Sequence, residues 1–232
     1  DGTLDTSFNP PALARFTGNS YLEIAALALQ ADGKILIGGN FVTTGTVRTS
    51  ALARLNADGS LDPTFNTNQT SQVIGGTVFD IDVAADGKIL VSGNINASGR
   101  TEVARLFSNG TLDTSFNPAL PQTGDPTGLD VLVQPDGKVL ISTDYQSGNE
   151  MMFRLNVDGS VDFSHITNGQ LDVVYRIVIQ PDGKILLGGS FDSIDGFTVP
   201  RSIVRLNADG SVDTSFNITN SGASGDVRDV EL

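Results

Sequence analysis

The sequence predicts an all-β chain: a β-propeller of four-stranded antiparallel blades, about 50 residues to the repeat, forming an incomplete or fragmentary ring. Three observations lead there. First, an Asp-Gly-Lys triplet recurs at Asp32-Gly33-Lys34, Asp86-Gly87-Lys88, Asp136-Gly137-Lys138 and Asp182-Gly183-Lys184, at intervals of 54, 50 and 46 residues. Second, another turn falls between these triplets: Asp58-Gly59-Ser60, Asn109-Gly110-Thr111, Asp158-Gly159-Ser160 and Asp209-Gly210-Ser211, with Asp1-Gly2-Thr3 opening the chain. Asp-Gly and Asn-Gly between apolar runs signal hairpins, whose type I′ turns need positive φ at both central residues. Third, no long segment carries the apolar period of a helix. A strict repeat of this length marks a modular architecture. A sandwich does not explain it, and a β-solenoid has shorter coils without two fixed hairpin turns.

Each element of the repeat has its own justification. The first strand alternates, as in Ile24 to Leu29 or Val173 to Ile179. The second follows the Asp-Gly-Lys turn and is nearly continuous in apolar residues: Ile35-Leu36-Ile37-Gly38-Gly39, Ile89-Leu90-Val91, Val139-Leu140-Ile141 and Ile185-Leu186-Leu187-Gly188-Gly189. Such a run suits a strand buried on both faces. The glycine pairs read as points of close inter-strand packing. A variable loop leads to the third strand, Leu52-Ala53-Arg54-Leu55 and its echoes ending in Arg105, Arg154 and Arg205. After the second turn comes the fourth strand, Leu61-Asp62-Pro63-Thr64-Phe65 and its relatives.

The chain reads as a single repeat array over 1–232, with blade units at roughly 21–66, 77–117, 127–166 and 172–217 and flanking strands at 2–9 and 226–232. The first flank matches a fourth strand and the last matches a first strand. A blade made from the two alone lacks its middle strands, so the expectation is a piece of a longer array. Open edge strands invite self-association.

The string Gln180-Pro181-Asp182-Gly183-Lys184-Ile185-Leu186, followed by Arg205-Leu206-Asn207-Ala208-Asp209-Gly210-Ser211-Val212-Asp213-Thr214-Ser215-Phe216, resembles the delta-60 repeat of bacterial β-propeller proteins. The resemblance extends over essentially the whole chain. It implies a propeller, and an exported or surface-associated bacterial protein, and it supplies no catalytic residues to carry over. The third unit departs from the pattern: Val161-Asp162-Phe163-Ser164-His165 replaces Leu-Asp-Thr-Ser-Phe, and Ser142-Thr143 replaces the Gly-Gly or Ser-Gly pair.

Composition excludes several classes. The chain has no Cys and one His, so disulfides, thiolate sites and multi-histidine zinc sites are out. A net charge of −13 argues against nucleic acid as a partner. No apolar run approaches the ~20 residues of a spanning helix.

The residues that could carry chemistry recur with the repeat. The string Asn56, Asp58, Asp62 returns as Asn156, Asp158, Asp162 and as Asn207, Asp209, Asp213. Alternating oxygen ligands around a glycine suggest calcium, the one cofactor the pattern offers, although the distal bidentate Glu of an EF-hand is missing. The competing reading is a tight hairpin whose Asp bonds its own backbone. Arg54, Arg105, Arg154 and Arg205 could bind an anion, but each faces an Asp across its hairpin (Asp62, Asp113, Asp162, Asp213), which reads as structural. Phe8, Phe65, Phe116 and Phe216 share one position and suit the gap between blades, with His165 in that slot in the third unit. Asp80 and Asp130 lie on first strands and could serve paired-carboxylate chemistry.

Specificity is expected in the loops, because loops on a rigid scaffold carry function. The stretch 191–201 is the most distinctive, and Phe191, Asp192, Asp195, Phe197 and Arg201 are its candidate binding residues for a protein or glycan. The expected function is a non-catalytic extracellular or surface module for adhesion or assembly. The alternatives are a carbohydrate-active enzyme using channel carboxylates and a calcium-stabilised binding module.

Overall fold

A computed structural model describes residues 2–15, 22–44, 49–65, 74–97, 102–118, 120, 127–144, 151–166, 173–191, 193–194, 196–198, 202–216 and 225–232. The described regular structure is β-strand. It falls into two compact units, Asp1–Thr114 and Ser115–Leu232, each holding two blades.

In the first unit, blade one comprises β1 (Leu13–Ala14), β2 (Glu23–Leu29), β3 (Ile35–Thr43) and β4 (Ser50–Leu55). Here β3 pairs antiparallel with β2, β4 and β1. Blade two is β5 (Gly75–Val83), β6 (Ile89–Asn96) and β7 (Val103–Leu106), in that order across the sheet. Leu13 and Ala14, which precede the first blade unit read from sequence, thus contribute β1. They can do so because β3 runs on to Thr43 and offers Val42 and Thr43 as partners.

In the second unit, blade three is β8 (Thr127–Val133), β9 (Val139–Asp144), β10 (Met151–Leu155) and β11 (Val161–Ile166), a complete four-stranded meander. Blade four has β12 (Val173–Ile179), β13 (Ile185–Ser190), a small hairpin of β14 (Ser193–Ile194) with β15 (Phe197–Thr198), and β16 (Ile203–Leu206) against β13.

The second strands are buried as their apolar runs predict. Leu36, Ile89, Leu140 and Ile185 are inaccessible to solvent. All four first strands carry an irregularity at one place, between Ile24/Ala26, Val78/Asp80, Gly128/Asp130 and Val174/Arg176. A bulge re-aims the residues that follow it, in β5 and β12 toward the earlier blade of the same unit. In each unit the first strand of the later blade lies on the second strand of the earlier one. The contact is close because Gly38 has no side chain: a Cβ there would sit 2.5 Å from Val78 Cγ1 and 2.9 Å from Ile81 Cδ1.

Two sequence expectations need correction. The hairpins are not type I′. Gly33 N donates to Gln30 O (2.9 Å) and Gln30 N to Lys34 O (2.8 Å), with positive φ (81°) at Gly33 but not at Asp32. This is a three-residue loop whose glycine takes the left-handed position. Asp32 instead accepts the amide of Lys34 through Oδ1 at 3.1 Å. Nor is there a fourth strand in every blade. In blades one, two and four it shrinks to the bridges Leu55–Leu61, Leu106–Leu112 and Leu206–Val212. In blades one and four the reason is chemical: the carboxylates of Asp62 and Asp213 bond the amide and hydroxyl of Thr64 and Ser215, which turns the chain out of the ladder. Blade three has Phe163 and Ser164 there, and β11 forms.

Candidate functional site

The repeated charges assemble at the end of each blade where the Asp-Gly-Lys turn and the third strand meet. Register places Arg54 of β4 opposite Leu36 of β3, and Asp62 N donates to Arg54 O at 2.9 Å. Asp62 Oδ2 then accepts from Arg54 Nε (2.8 Å) and Lys34 Nζ (2.7 Å). The same triad forms from Lys138, Arg154 and Asp162, and from Lys184, Arg205 and Asp213. In blade two Arg105 Nε meets Asp113 at 2.8 Å, while Lys88 turns to Asp86 of its own loop.

The guanidinium groups of blades one, three and four also meet an aromatic ring. Arg54 lies 4.7 Å from the centroid of Phe65, Arg154 4.3 Å from Phe163 and Arg205 4.6 Å from Phe216. The rings reach the next blade's second turn: a Cβ on Gly110 would strike the Phe65 ring, and one on Gly210 the Phe163 ring. Nη1 of Arg54 continues to Ser108 O, and Nη1 of Arg154 to Ala208 O. Arg54 with Phe65 and Arg154 with Phe163 are therefore blade-to-blade joints, and Arg205 with Phe216 repeats the arrangement within blade four. In blade three the ring is Phe163, not the His165 slot that sequence alignment indicates. The register shift between Arg154 and Leu155 brings Phe163 opposite Arg154.

The joints perturb their acids. Burial pushes the Asp62 carboxyl up, but hydrogen bonds from Lys34 and Thr64 and the charge of Arg54 outweigh it and hold the group well below the usual carboxylate range. Asp213 is lowered chiefly by the hydrogen bond from Lys184 and then by Ser215, and Asp162 by that from Lys138.

The Asn-Asp-Asp strings serve the same hairpins. Asn56 Nδ2 donates to Ser60 Oγ, and Asp58 Oδ1 accepts both the amide and hydroxyl of Ser60. Asn156 with Asp158, and Asn207 with Asp209, repeat this on Ser160 and Ser211. No three His, Cys, Asp or Glu side chains among the described residues converge in a way that could hold a metal ion.

Of the candidate loop residues, Asp192, Asp195 and Arg201 lie outside the described residues. Phe191 is buried in the core of blade four with Ile194 and Leu187, whereas Phe197 is exposed on β15. Asp130, a candidate channel acid, is buried. It accepts Ile177 N at 2.6 Å and Arg176 Nη1 at 3.1 Å, which ties β8 to β12.

Sequence reasoning missed the clefts between adjoining Asp-Gly-Lys turns. One of about 680 Å³ lies between residues 29–33 and 83–87 of the first unit. Another of about 660 Å³ lies between 132–136 and 176–183 of the second. The second has aliphatic walls (Leu132, Ile177, Ile179) and is lined by Gln134, Gln180, Arg154 and Arg176. The Oε1 atoms of these two glutamines are buried and have no hydrogen-bond partner among the described residues. The signal was in the sequence, as the Gln-Pro preceding two of the turns.

The family described as "Domain of unknown function (DUF5122) beta-propeller" matches residues 30–65, 84–116 and 180–216. These stretches fall in blades one, two and four, and the divergent blade three is outside them. No curated protein matches the chain. Among solved structures, a protein of unknown function from Bacteroides caccae is similar at 16% identity and a TM-score of 0.47, over 85% of this chain and 68% of that one. Virginiamycin B lyase from Staphylococcus aureus is similar at 15% identity and 0.46, over 90% and 75%. PorZ, a surface component of the type-IX secretion system of Porphyromonas gingivalis, is similar at 13% identity and 0.47, over 92% of this chain and 29% of its own length.

Proposed function

On the premise that blades one, two and four are repeats of the DUF5122 β-propeller family, we propose a non-catalytic binding and assembly module of the bacterial cell exterior. The observation that carries the binding part is the cleft between blades three and four, whose lining includes Gln134 and Gln180, each with a buried amide oxygen that has no partner among the described residues. A buried acceptor left unmatched costs about 1–3 kcal/mol. A ligand bringing N–H or O–H donors, as a glycan or an extended peptide does, recovers that cost. The non-catalytic part is supported by the use of the repeated charges: Asp62, Asp162 and Asp213 are occupied by lysine and arginine. An acid or base engaged in this way is poorly placed to exchange protons with a substrate. The exterior location follows from the delta-60 resemblance and the polar, acidic composition. No described helix is long and apolar enough to cross a membrane.

The test is retention of the full chain on glycan and peptide arrays, repeated with Gln134→Leu and Gln180→Leu. The expected result is retention by a defined ligand class, lost in both variants with no fall in Tm, since each substitution removes an unmatched buried acceptor. Turnover of a retained glycan overturns the non-catalytic reading in favour of a carbohydrate-active enzyme. Retention indifferent to both glutamines removes the cleft from it.

A further inference from the structure

The first strand of blade one shows solvent an apolar face that its counterparts bury. Leu27 and Leu29 of β2 are 68% and 72% exposed, and Leu22 and Ile24 are exposed beside them. Counting back from the turn glycines, Leu27 corresponds to Ile81, Val131 and Ile177, whose exposures are 6%, 2% and 2%. Ile24 corresponds to Val78 and Val174, both buried. An apolar cluster exposed in one repeat and covered in the others marks an interaction surface.

The kind of surface that covers it is visible twice. In the first unit Val78 and Ile81 rest on Gly38 of β3. In the second, Val227 and Val230 rest on Gly188 of β13, where a Cβ would lie 2.9 Å from Val227 Cγ1 and 2.7 Å from Val230 Cγ2. Val227 and Val230 are the equivalents of Ile24 and Leu27. The seat on blade four is occupied by a segment outside any strand, tied by Val227 N to Gly189 O at 2.7 Å, with Leu232 exposed. The strand β2, seven residues long, carries Ile24 and Leu27 at the repeat positions of Val227 and Val230.

We propose that blade one of one molecule docks on blade four of a second copy. Ile24 and Leu27 take the place on Gly188 held by Val227 and Val230 within a single chain. Face and seat are different surfaces, so the contact is head-to-tail and can propagate. Blade order then runs from four to one with the geometry that joins one to two. This deepens the assembly part of the reading above and is independent of the glutamine cleft. Loss of array binding leaves it standing, and a monomeric protein leaves the cleft untouched.

The experiment is sedimentation equilibrium on the full chain, with cysteine trapping, which the absence of native Cys makes clean. The expected result is concentration-dependent association, weakened at least tenfold by Leu27→Asp and strengthened about tenfold by deleting 225–232. Leu27→Cys protein mixed with Gly188→Cys protein should give a disulfide-linked heterodimer. Wild-type protein that stays monomeric at all concentrations overturns the proposal. So does a Leu27→Cys homodimer, which means face-to-face packing. So does a disulfide within one chain of a protein carrying both Leu27→Cys and Gly188→Cys. Because Leu27 is exposed, its Asp variant folds, and the sedimentation result stands even where Gly188→Cys does not fold.

Discussion

Arg54 donates through Nη1 to the carbonyl oxygen of Ser108, 2.6 Å away in the neighbouring blade and 54 residues along the chain. The same guanidinium holds Asp62 through Nε and lies over the ring of Phe65. One side chain thus closes its own hairpin and anchors the next. Arg154 repeats the relationship with Ala208.

Removing this cation should be costly. In Arg54→Ala the buried Asp62 keeps Lys34 but loses its second partner, and Ser108 O loses its donor. Breaking a buried pair costs about 3–5 kcal/mol, and the surviving lysine places the expected loss near the lower end. Arg154→Ala should cost less, because Asp162 is a quarter exposed. Urea unfolding of the two variants gives the order directly.

Acid should loosen the joints together. Asp62, Asp162 and Asp213 have folded-state pKa values below the ordinary range. A lowered folded value means the contribution is complete above the unfolded value, ~3.9, and is lost as pH falls through the folded one. The urea midpoint should be flat from neutral pH to about 5 and fall below about 4. Asp62→Asn should flatten that fall.

Two glycines should respond for different reasons. At Gly38 the obstacle is space, so Gly38→Ala should cost about 1–3 kcal/mol through overpacking against Val78. Val78→Ala in the same chain should restore part of it. At Gly33 nothing lies within 4 Å, and only its φ of +81° resists a side chain. Gly33→Ala should cost about 1–2 kcal/mol, with no rescue by a neighbour. A double-mutant cycle separates the two.

Calcium should leave stability unchanged. The oxygens of Asp58 and Asp62 already accept from Ser60, Thr64, Lys34 and Arg54. Tm measured with excess calcium and with chelator should agree. A rise with calcium assigns the Asn-Asp-Asp strings to the ion after all.

Phe163 should matter as the joint of blade three. Its ring lies under Arg154 and against Gly210. Phe163→Ala should cost about 2–3 kcal/mol, less than the ~3–5 of a fully buried Phe, as read by chemical unfolding.

By itself the sequence determined the repeat, the antiparallel hairpins and the Arg–Asp pairing, because each rests on residues a few positions apart. Asp-Gly turns, continuous apolar runs and charges facing across one hairpin are local facts. Tertiary structure decided what needed the neighbouring blade. Among the described residues the fourth strand survives only in blade three, and in blades one and four Asp62 and Asp213 bond their own backbone turns instead. Phe163 replaces the expected slot because a shift beside Arg154 changes the register. Phe191 is core, although its loop looked like a binding loop. The cleft with Gln134 and Gln180 exists only where two turns from separate repeats stand together. Exposure of Leu27, beside burial of Ile81 in the same pattern, depends on what lies against each strand, and that is a property of packing.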